Sequence, residues 1–327
     1  MLSFRRKVSK SAQDGATKRA KIQKGRTLQK IIIDCDPGID DAVAIFLALA
    51  ARDDIEVLGI TCVKGNVGLD KTYRNAQRIC AAAGRLDIPV LRGIARPILA
   101  PADLAASVHG VDGLGDIDLP LPDDFPETKT HAVDFIRQQV EKYPGEVVVC
   151  AIGPLTNVAV ALLFDPLLGE KLRSIVFMGG AAYCPGNMND FAEFNFMVDP
   201  HAAEIVLQSG AQLVMFGLDV TQQTRIEELH LARLRQNGNV CSDIAERLLT
   251  AYAKGDQHLH DPCVVAWLIE PSIFSGTQSR VRIVTEPGPQ FGRSMANIDP
   301  HGNCLVMTQV DQQRLFSILL SKLAQWP

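Results

Sequence analysis

Short apolar segments alternate with helical segments along most of this 327-residue chain. The first, Lys-Ile-Ile-Ile-Asp at 30–34, predicts a buried strand, and a turn at 36–38 leads from it into a helix predicted over 40–52. Buried strands that alternate with helices are typical of parallel sheets covered on both faces. We therefore predict an α/β fold with an open, mainly parallel sheet and helices on both faces.

The alternation continues along the rest of the chain. A second strand is predicted over 55–62 and a helix over 71–83, and further strands are predicted at 146–151, 174–178, 212–216 and near 280–284. No internal repeat or low-complexity linker interrupts the sequence after residue 30. We expect one domain over 30–327.

Composition excludes several classes of protein. Hydrophobic residues make up 47 % of the chain and charged residues 21 %, which excludes a disordered or fibrous protein. The longest uninterrupted apolar stretch, 42–51, has ten residues. A membrane-spanning helix needs ~18 or more, so we expect no membrane partner.

Charge is distributed unevenly. The first thirty residues hold ten Lys and Arg against one acid, Asp14, which leaves a net charge of −13 for 31–327. Nucleic-acid enzymes are more often basic in their folded part. We therefore expect no nucleic-acid partner, and either a neutral or cationic small substrate or a bound cation. We interpret 1–29 as a basic, disordered arm, within which 1–13 also has the character of a transit peptide and 18–26 that of a nuclear address.

The eight cysteines are scattered, and none forms a CxxC pair. Most lie within apolar runs, which is typical of buried free thiols in a reducing compartment rather than of disulfides or a zinc site. We predict a cytoplasmic location, and the basic arm leaves nuclear or organelle targeting as the open alternative.

The strongest local motif is Asp-Cys-Asp-Pro-Gly-Ile-Asp-Asp at 34–41. Its four carboxylates lie between a predicted strand end and a predicted helix start, where open α/β sheets bind ligands. One of Asp40 and Asp41 could serve as a helix cap, but capping does not explain four acids that repel one another. A hard divalent cation with oxygen ligands does.

The motif allows two other interpretations. An EF-hand requires Glu at the twelfth loop position, where this chain has Ile45, so that interpretation fails. A phosphatase that forms an aspartyl-phosphate would use Asp34 as nucleophile, Asp36 as acid/base and Mg²⁺ as its ion. Gly38 stands where such an enzyme has Thr or Val, and this alternative ranks second.

Three distant segments add polar groups, and each has an ordinary structural explanation when taken alone. Gly-Pro-Leu-Thr-Asn at 153–157 is typical of a turn into a helix. The amide-rich segment 187–195 is typical of a solvated loop, and His-Asp-Pro-Cys at 260–263 is typical of a helix start. The polar density of 187–195 also suits a sugar with several hydroxyl groups.

Together with Gly65-Asn66, His109-Gly110 and 178–180, these segments resemble the inosine–uridine-preferring nucleoside N-ribohydrolase family. They occur in the family order and span residues 30 to about 270. The resemblance implies a Rossmann-like α/β fold and a Ca²⁺-dependent enzyme that hydrolyses a nucleoside to ribose and free base, including inosine, uridine and xanthosine. It also implies a homo-oligomer, either a dimer or a tetramer.

The resemblance implies specific roles around the ion. The carboxylates of Asp36, Asp41 and Asp261 and the main-chain carbonyl of Thr156 would bind Ca²⁺, which would hold the attacking water and the ribose 2′- and 3′-hydroxyls. Asp36 would be the general base for that water. This is chemically coherent because a Lewis acid both lowers the pKa of bound water and fixes the substrate.

The resemblance also implies the groups that hold and release the nucleoside. His260 would be the general acid that protonates the leaving base. Positive charge that develops on the ribose in an oxocarbenium-like transition state would be stabilised by the carboxylates. The substrate would be bound at the 2′/3′ edge by Asp40, Asn66 and Asn195, at the 5′-hydroxyl by Asn187 and Glu193, and elsewhere by His109, Met178 and Tyr252.

Two matters stay open in the sequence. The base pocket offers Tyr252 as its aromatic candidate, and the preference for purine or pyrimidine is undetermined. A nucleoside- or ribose-binding protein without turnover is a further alternative, although the presence of both Asp36 and His260 speaks against it.

Overall fold

Nine strands form one sheet in the computed structural model, which describes residues 28–99 and 109–326. The strands are β1 (Gln29–Cys35), β2 (Ile55–Cys62), β3 (Val90–Arg92), β4 (Val147–Ala151), β5 (Ser174–Met178), β6 (Leu213–Phe216), β7 (Phe274–Ile283), β8 (Ser294–Ile298) and β9 (Cys304–Val310). Their spatial order is β3-β2-β1-β4-β5-β6-β9-β7-β8. In this spatial order, each neighbouring pair from β3 to β9 is parallel. Strand β7 pairs antiparallel with both β9 and β8.

Helices cover both faces of this sheet. They are α1 (Ile39–Ala50), α2 (Leu69–Ala82), α3 (Ala132–Lys142), α4 (Thr156–Phe164), α5 (Leu168–Lys171), α6 (Phe194–Val198), α7 (Pro200–Leu207), α8 (Leu218–Thr221), α9 (Glu228–Asn237), α10 (Val240–Tyr252), α11 (Asp261–Ile269) and α12 (Gln312–Ala324).

The core is divided by the sheet into two layers. On β1, Ile31 and Ile33 pack in the layer that holds α1, α10 and α11, while Ile32 packs in the layer that holds α3, α4 and α7. Successive strand residues point to opposite faces, so a continuous run of isoleucines serves both layers. The predicted α/β fold with helices on both faces of a mainly parallel sheet is thereby confirmed.

The order of the strands reverses direction at β1. From this strand the chain proceeds to β2 and β3 on one side, and β4, β5 and β6 follow on the other. In open α/β sheets, ligands bind at the carboxyl ends of the strands where the order reverses. The segments that follow β1, β2 and β4 therefore meet at one edge.

The antiparallel end of the sheet differs from the prediction. The strand predicted near 280–284 is the end of the longer β7, and β8 and β9 were not predicted. Strand β8 is at the edge, has one neighbour and is mostly exposed. An edge strand therefore needs no continuous apolar run, which is the signal that identified the buried strands.

Two further predictions concern the basic arm at the start of the sequence and membrane-spanning helices. Most of the predicted basic arm, residues 1–27, lies outside the described residues, and β1 begins at Gln29. Within the described ranges, none of the helices has the length and apolar character required to cross a membrane.

Candidate active site

A cavity of about 340 Å³ opens at the carboxyl edge of the sheet. This volume is within the range of small-molecule sites. Of the thirteen residues predicted to form the site, eleven line the cavity: Asp36, Asp40, Asn66, His109, Met178, Asn187, Glu193, Asn195, Tyr252, His260 and Asp261. The other two are buried: Asp41 is hydrogen-bonded to the lining residue Asn66, and Thr156 begins α4, where its hydroxyl donates to Asp199 Oδ2 at 2.7 Å.

Four buried carboxylates are concentrated at one side of the cavity. Oxygens of Asp40, Asp41 and Asp261 lie within 4.8 Å of one another. Asp36 Oδ2 accepts a hydrogen bond from the backbone N–H of Asn66 at 2.6 Å. Its other oxygen, Oδ1, is buried and has no hydrogen-bond partner among the residues that the structure describes.

Two glycines allow the chain to close around Asp36. A Cβ atom at Gly65 would lie 2.0 Å from Asp36 Oδ2, and one at Gly153 would lie 2.4 Å from Asp36 Oδ1. Such distances are impossible for real Cβ atoms. The turns after β2 and β4 therefore contact the Asp36 carboxylate directly because each has a glycine at the point of contact.

The start of α1 is held by Asp41. Its Oδ2 accepts from the Gly38 N–H at 2.9 Å, and its Oδ1 accepts from the Asp36 N–H at 3.3 Å. Asp41 is thus a helix cap, as predicted for one of the two adjacent acids, and it belongs to the carboxylate cluster as well.

The electrostatics of the cluster call for a cation. Burial raises the pKa of Asp36 and of Asp261 well above the usual range and that of Asp41 to about 7, and repulsion among the carboxylates adds to each shift. Within residues 28–99 and 109–326, none of these groups forms an ion pair with Lys or Arg. A set of carboxylate oxygens that includes the unpartnered Asp36 Oδ1 fits a hard divalent cation.

Asp34 does not belong to the cavity. It is fully buried, and its Oδ1 accepts from Thr61 Oγ1 at 2.5 Å and from Asn157 Nδ2 at 2.8 Å. Burial raises its pKa to about 7. The phosphatase alternative requires Asp34 as an exposed nucleophile, so this position argues against it.

Two amide side chains in the cavity lining have both N–H groups engaged within the protein. Asn195 Nδ2 donates to the carbonyls of Ile152 and Met178, both at 3.2 Å. Asn66 Nδ2 donates to the Asp36 carbonyl at 3.1 Å and to Asp41 Oδ2 at 3.2 Å. Since both amide NH₂ groups are engaged, Oδ1 of each side chain is the atom suited to accept from a hydroxyl group.

Glu193 both caps a helix and lines the cavity. Its carboxylate accepts from the backbone N–H groups of Gly180 at 2.7 Å, Asn195 at 2.9 Å and Phe196 at 3.1 Å. A carboxylate offers about four acceptor positions, so one remains for a ligand. Asn187 Oδ1 accepts from the Phe194 N–H at 3.0 Å, which leaves its NH₂ group to donate.

Aromatic rings form another part of the cavity wall. The rings of His109 and Tyr252 stack with their centroids 5.6 Å apart. His109 Nδ1 accepts from the backbone N–H of Ile39 at 3.0 Å, and burial lowers the pKa of this histidine. A neutral His109 therefore carries its proton on Nε2.

His260 precedes α11 and is held at both ring nitrogens. Nδ1 lies 2.8 Å from Thr221 Oγ1, and Nε2 lies 3.1 Å from Asp256 Oδ2. Burial acts to lower the pKa of His260, but the hydrogen bond and charge of Asp256, together with the charges of Asp40 and Glu193, more than offset it, so the pKa is raised.

Sequence reasoning missed Asp256, which also lines the cavity. It lies in an ordinary polar loop four residues before His260, and that spacing was the available signal. The ring of His258, two residues after Asp256, contacts its carboxylate at 3.1 Å. Other lining residues that were not predicted are Ile152, Met188, Phe194 and Gly255.

A sequence model described as "Inosine-uridine preferring nucleoside hydrolase" matches residues 31–317. The chain is 40 % identical over 309 residues to a pyrimidine-specific ribonucleoside hydrolase, RihA, of Citrobacter koseri, covering 90 % of this chain and 97 % of that protein.

Two solved structures are also similar. A plant nucleoside hydrolase, PpNRh1, has a TM-score of 0.84 at 32 % identity, covering 91 % of this chain and 100 % of the other. A purine-preferring ribonucleoside hydrolase from Gardnerella vaginalis has a TM-score of 0.85 at 31 % identity, covering 90 % of this chain and 98 % of the other.

Proposed function

Because the chain belongs to the inosine-uridine preferring nucleoside hydrolase family and is thus a nucleoside N-ribohydrolase, we propose how its own residues cleave the substrate. The observation that carries the proposal is the arrangement of one cavity, in which a cluster of buried carboxylates and His260 line the same space. This combination supplies a base for water and an acid for the leaving group.

The ligands proposed for Ca²⁺ are the carboxylates of Asp36, Asp41 and Asp261 and the main-chain carbonyl of Thr156. The 4.8 Å cluster supports Asp41 and Asp261 and adds Asp40 as a neighbour. Bound there, the ion would lower the pKa of a water molecule and fix the ribose hydroxyls.

Asp36 is the proposed general base. It has the orphaned oxygen Oδ1, and its other oxygen is fixed by Asn66. A base held at one oxygen has a defined orientation for the proton that it accepts. The water oxygen forms a bond to C1′ of the ribose, and the water proton passes to Asp36.

The ribose is proposed to bind through its hydroxyls to the polar wall. Oδ1 of Asn66 and Oδ1 of Asn195 would accept from the 2′/3′ edge beside Asp40. Asn187 would donate to the 5′-hydroxyl, and Glu193 would accept from it through its remaining lone pair. The carboxylates of the buried cluster would stabilise the positive charge that develops on the ribose as the C1′–N bond lengthens.

His260 is the proposed general acid. When the C1′–N bond breaks, its electron pair goes to the base nitrogen, and the ring proton of His260 neutralises the charge that develops there. One water is consumed, and ribose and the free base are produced. His109, Tyr252 and Met178 line the same cavity and are proposed to contact the base.

The base preference is proposed to include uridine, inosine and xanthosine. A relative named as pyrimidine-specific and a structural neighbour named as purine-preferring are both similar to this chain, so both classes belong in the test. Assembly into a dimer or tetramer and a cytoplasmic location stay predictions.

The test is ribose release from inosine, uridine, xanthosine and adenosine, with and without a chelator and beside a phosphate-release control on nucleotides. We expect chelator-sensitive ribose release, and the rank order of the substrates gives the base preference. Phosphate release from nucleotides without ribose release from any nucleoside would instead support the phosphatase.

A further inference from the structure

Asp256 joins two histidines at the rim of the cavity. Its Oδ2 lies 3.1 Å from His260 Nε2. Its Oδ1 accepts from the backbone N–H of His258 at 2.9 Å and contacts His258 Nδ1 at 3.1 Å. The carboxylate is therefore fixed by His258 on one oxygen and directs the other towards His260.

The ring of His260 is oriented by two contacts that differ in their surroundings. Nδ1 faces Thr221, which is fully buried, whereas Nε2 faces Asp256, which lines the cavity. An imidazole with one anchor can still pivot about that anchor, and a second anchor on the opposite nitrogen removes this freedom. Asp256 thus selects the orientation in which Nε2 is on the cavity side.

The loop around Asp256 is held by its own backbone. Gln257 O accepts from Ile226 N at 2.7 Å, Leu259 N donates to Thr224 O at 3.0 Å, and Asp256 N donates to Tyr252 O at 2.9 Å. None of these bonds uses the Asp256 side chain. Truncation of that side chain removes its bond to the His258 N–H but leaves these three bonds, so the loop is expected to stay in place while the histidine rings are released.

We propose that Asp256 is a positioning residue for the departure of the nucleobase: its contact with Nε2 holds that nitrogen on the cavity side of the His260 ring, and the Nε2 proton passes to the leaving nitrogen as its hydrogen bond to Asp256 breaks. This inference rests on the proposed function, in which His260 is the general acid. Asp256 acts through His260, so its contribution should be large only when the leaving group needs a proton.

The experiment compares the wild-type chain with the variants Asp256→Ala and Asp256→Asn on uridine, inosine and p-nitrophenyl riboside. The nitrophenolate leaves without protonation, so it reports on the rest of the site. We expect kcat on the natural nucleosides to fall by at least about tenfold in Asp256→Ala and by less in Asp256→Asn, which keeps an acceptor atom. On p-nitrophenyl riboside, kcat should stay within about twofold of wild type.

Asp299 provides the matched control. Like Asp256, it accepts from the backbone N–H of a histidine two residues later, His301, at 2.9 Å, and it also binds an exposed cation, Arg280. Asp299→Asn removes a comparable charge from a residue outside the described cavity lining and should leave both activities unchanged. Thermal unfolding of each variant checks folding.

The outcomes distinguish the positioning role of Asp256 from the proposed function. Equal losses on natural and activated substrates would overturn the positioning role. Unchanged kcat on the natural nucleosides would also overturn it. If wild-type protein releases ribose from none of the three substrates, the proposed function itself is wrong.

Discussion

The backbone N–H of Ile39, the first residue of α1, donates a hydrogen bond to Nδ1 of His109 at 3.0 Å. The helix start therefore fixes the ring and, in the neutral form, places the proton on Nε2. His109 is sequence-distant from α1, and this bond connects a loop residue to the same helix start that carries Asp40 and Asp41.

A first prediction concerns this bond. His109→Ala should raise KM for nucleosides by about tenfold, because a ring contact of ~1.4 kcal/mol is lost, and should lower Tm because the Ile39 N–H loses its partner. His109→Asn, which can restore an acceptor near Nδ1, should recover more of the Tm than of the KM. Identical Tm values for the two variants would contradict the role of this bond.

A second prediction tests the close approach of the turn after β4 to Asp36. Gly153→Ala places a Cβ within 2.4 Å of Asp36 Oδ1 and 2.9 Å of Asp36 N, so the carboxylate or the turn must move. We expect kcat/KM to fall by about 10²-fold, since a displacement of about 1 Å in a catalytic group has effects of this size.

Gly68→Ala is the matched control for that variant. Gly68 has negative φ, and apart from its chain neighbours no heavy atom of the described residues lies within 4 Å of a Cβ built on it. Its activity should equal that of wild type. A Gly153→Ala enzyme with undiminished kcat/KM would show that Asp36 is not confined as the structure indicates.

A third prediction uses stability rather than activity. Ca²⁺ should raise Tm of the wild-type chain, because an ion that binds only the folded state stabilises it by about 2.7 kcal/mol at a hundredfold excess over Kd. Asp261→Asn should lose most of this increase. Without the ion, the same variant should be at least as stable as wild type, because one buried, repelled carboxylate is removed. Thermal unfolding with added Ca²⁺ and with a chelator measures both effects, and an unchanged Ca²⁺ response in Asp261→Asn would remove this residue from the ligand set.

A fourth prediction separates the acid from the rest of the site. His260→Ala should lower kcat on uridine and inosine by about 10²–10⁴-fold, the usual contribution of a general acid. On p-nitrophenyl riboside its loss should be far smaller. Equal losses on both kinds of substrate would exclude His260 from the acid role.

The sequence was most informative where chemistry is local. The carboxylates at 36–41 are neighbours in the chain, and the isoleucines of β1 are a continuous apolar run, so both the cluster and the central strand could be predicted. Asp34 shows the limit of this reasoning. It belongs to the same motif, but it is withdrawn from the cavity by Thr61 and Asn157, which come from other elements.

The contacts of His260 were also beyond prediction from the sequence. Thr221 is 39 residues away in the chain and follows β6, so only the packing of α8 against the start of α11 brings the two together. Asp256 is close to His260 in sequence, but the sequence does not predict the backbone path of the loop between them. The direction of the Asp256 side chain therefore could not be predicted. Likewise, β8 and β9 become recognisable only when β7 is seen to pair with both.

The most direct test of this mechanism is the yield of ribose and free base from uridine with Ca²⁺ supplied, measured for wild type, for chelator-treated wild type and for Asp36→Ala. We expect equal amounts of ribose and base from the Ca²⁺-supplied wild type and, from the other two samples, rates lower by well over tenfold (~1.4 kcal/mol of barrier). Activity of Asp36→Ala within tenfold of wild type, or ribose release that ignores the chelator, would contradict a mechanism in which Asp36 both binds the ion and accepts the proton of the attacking water.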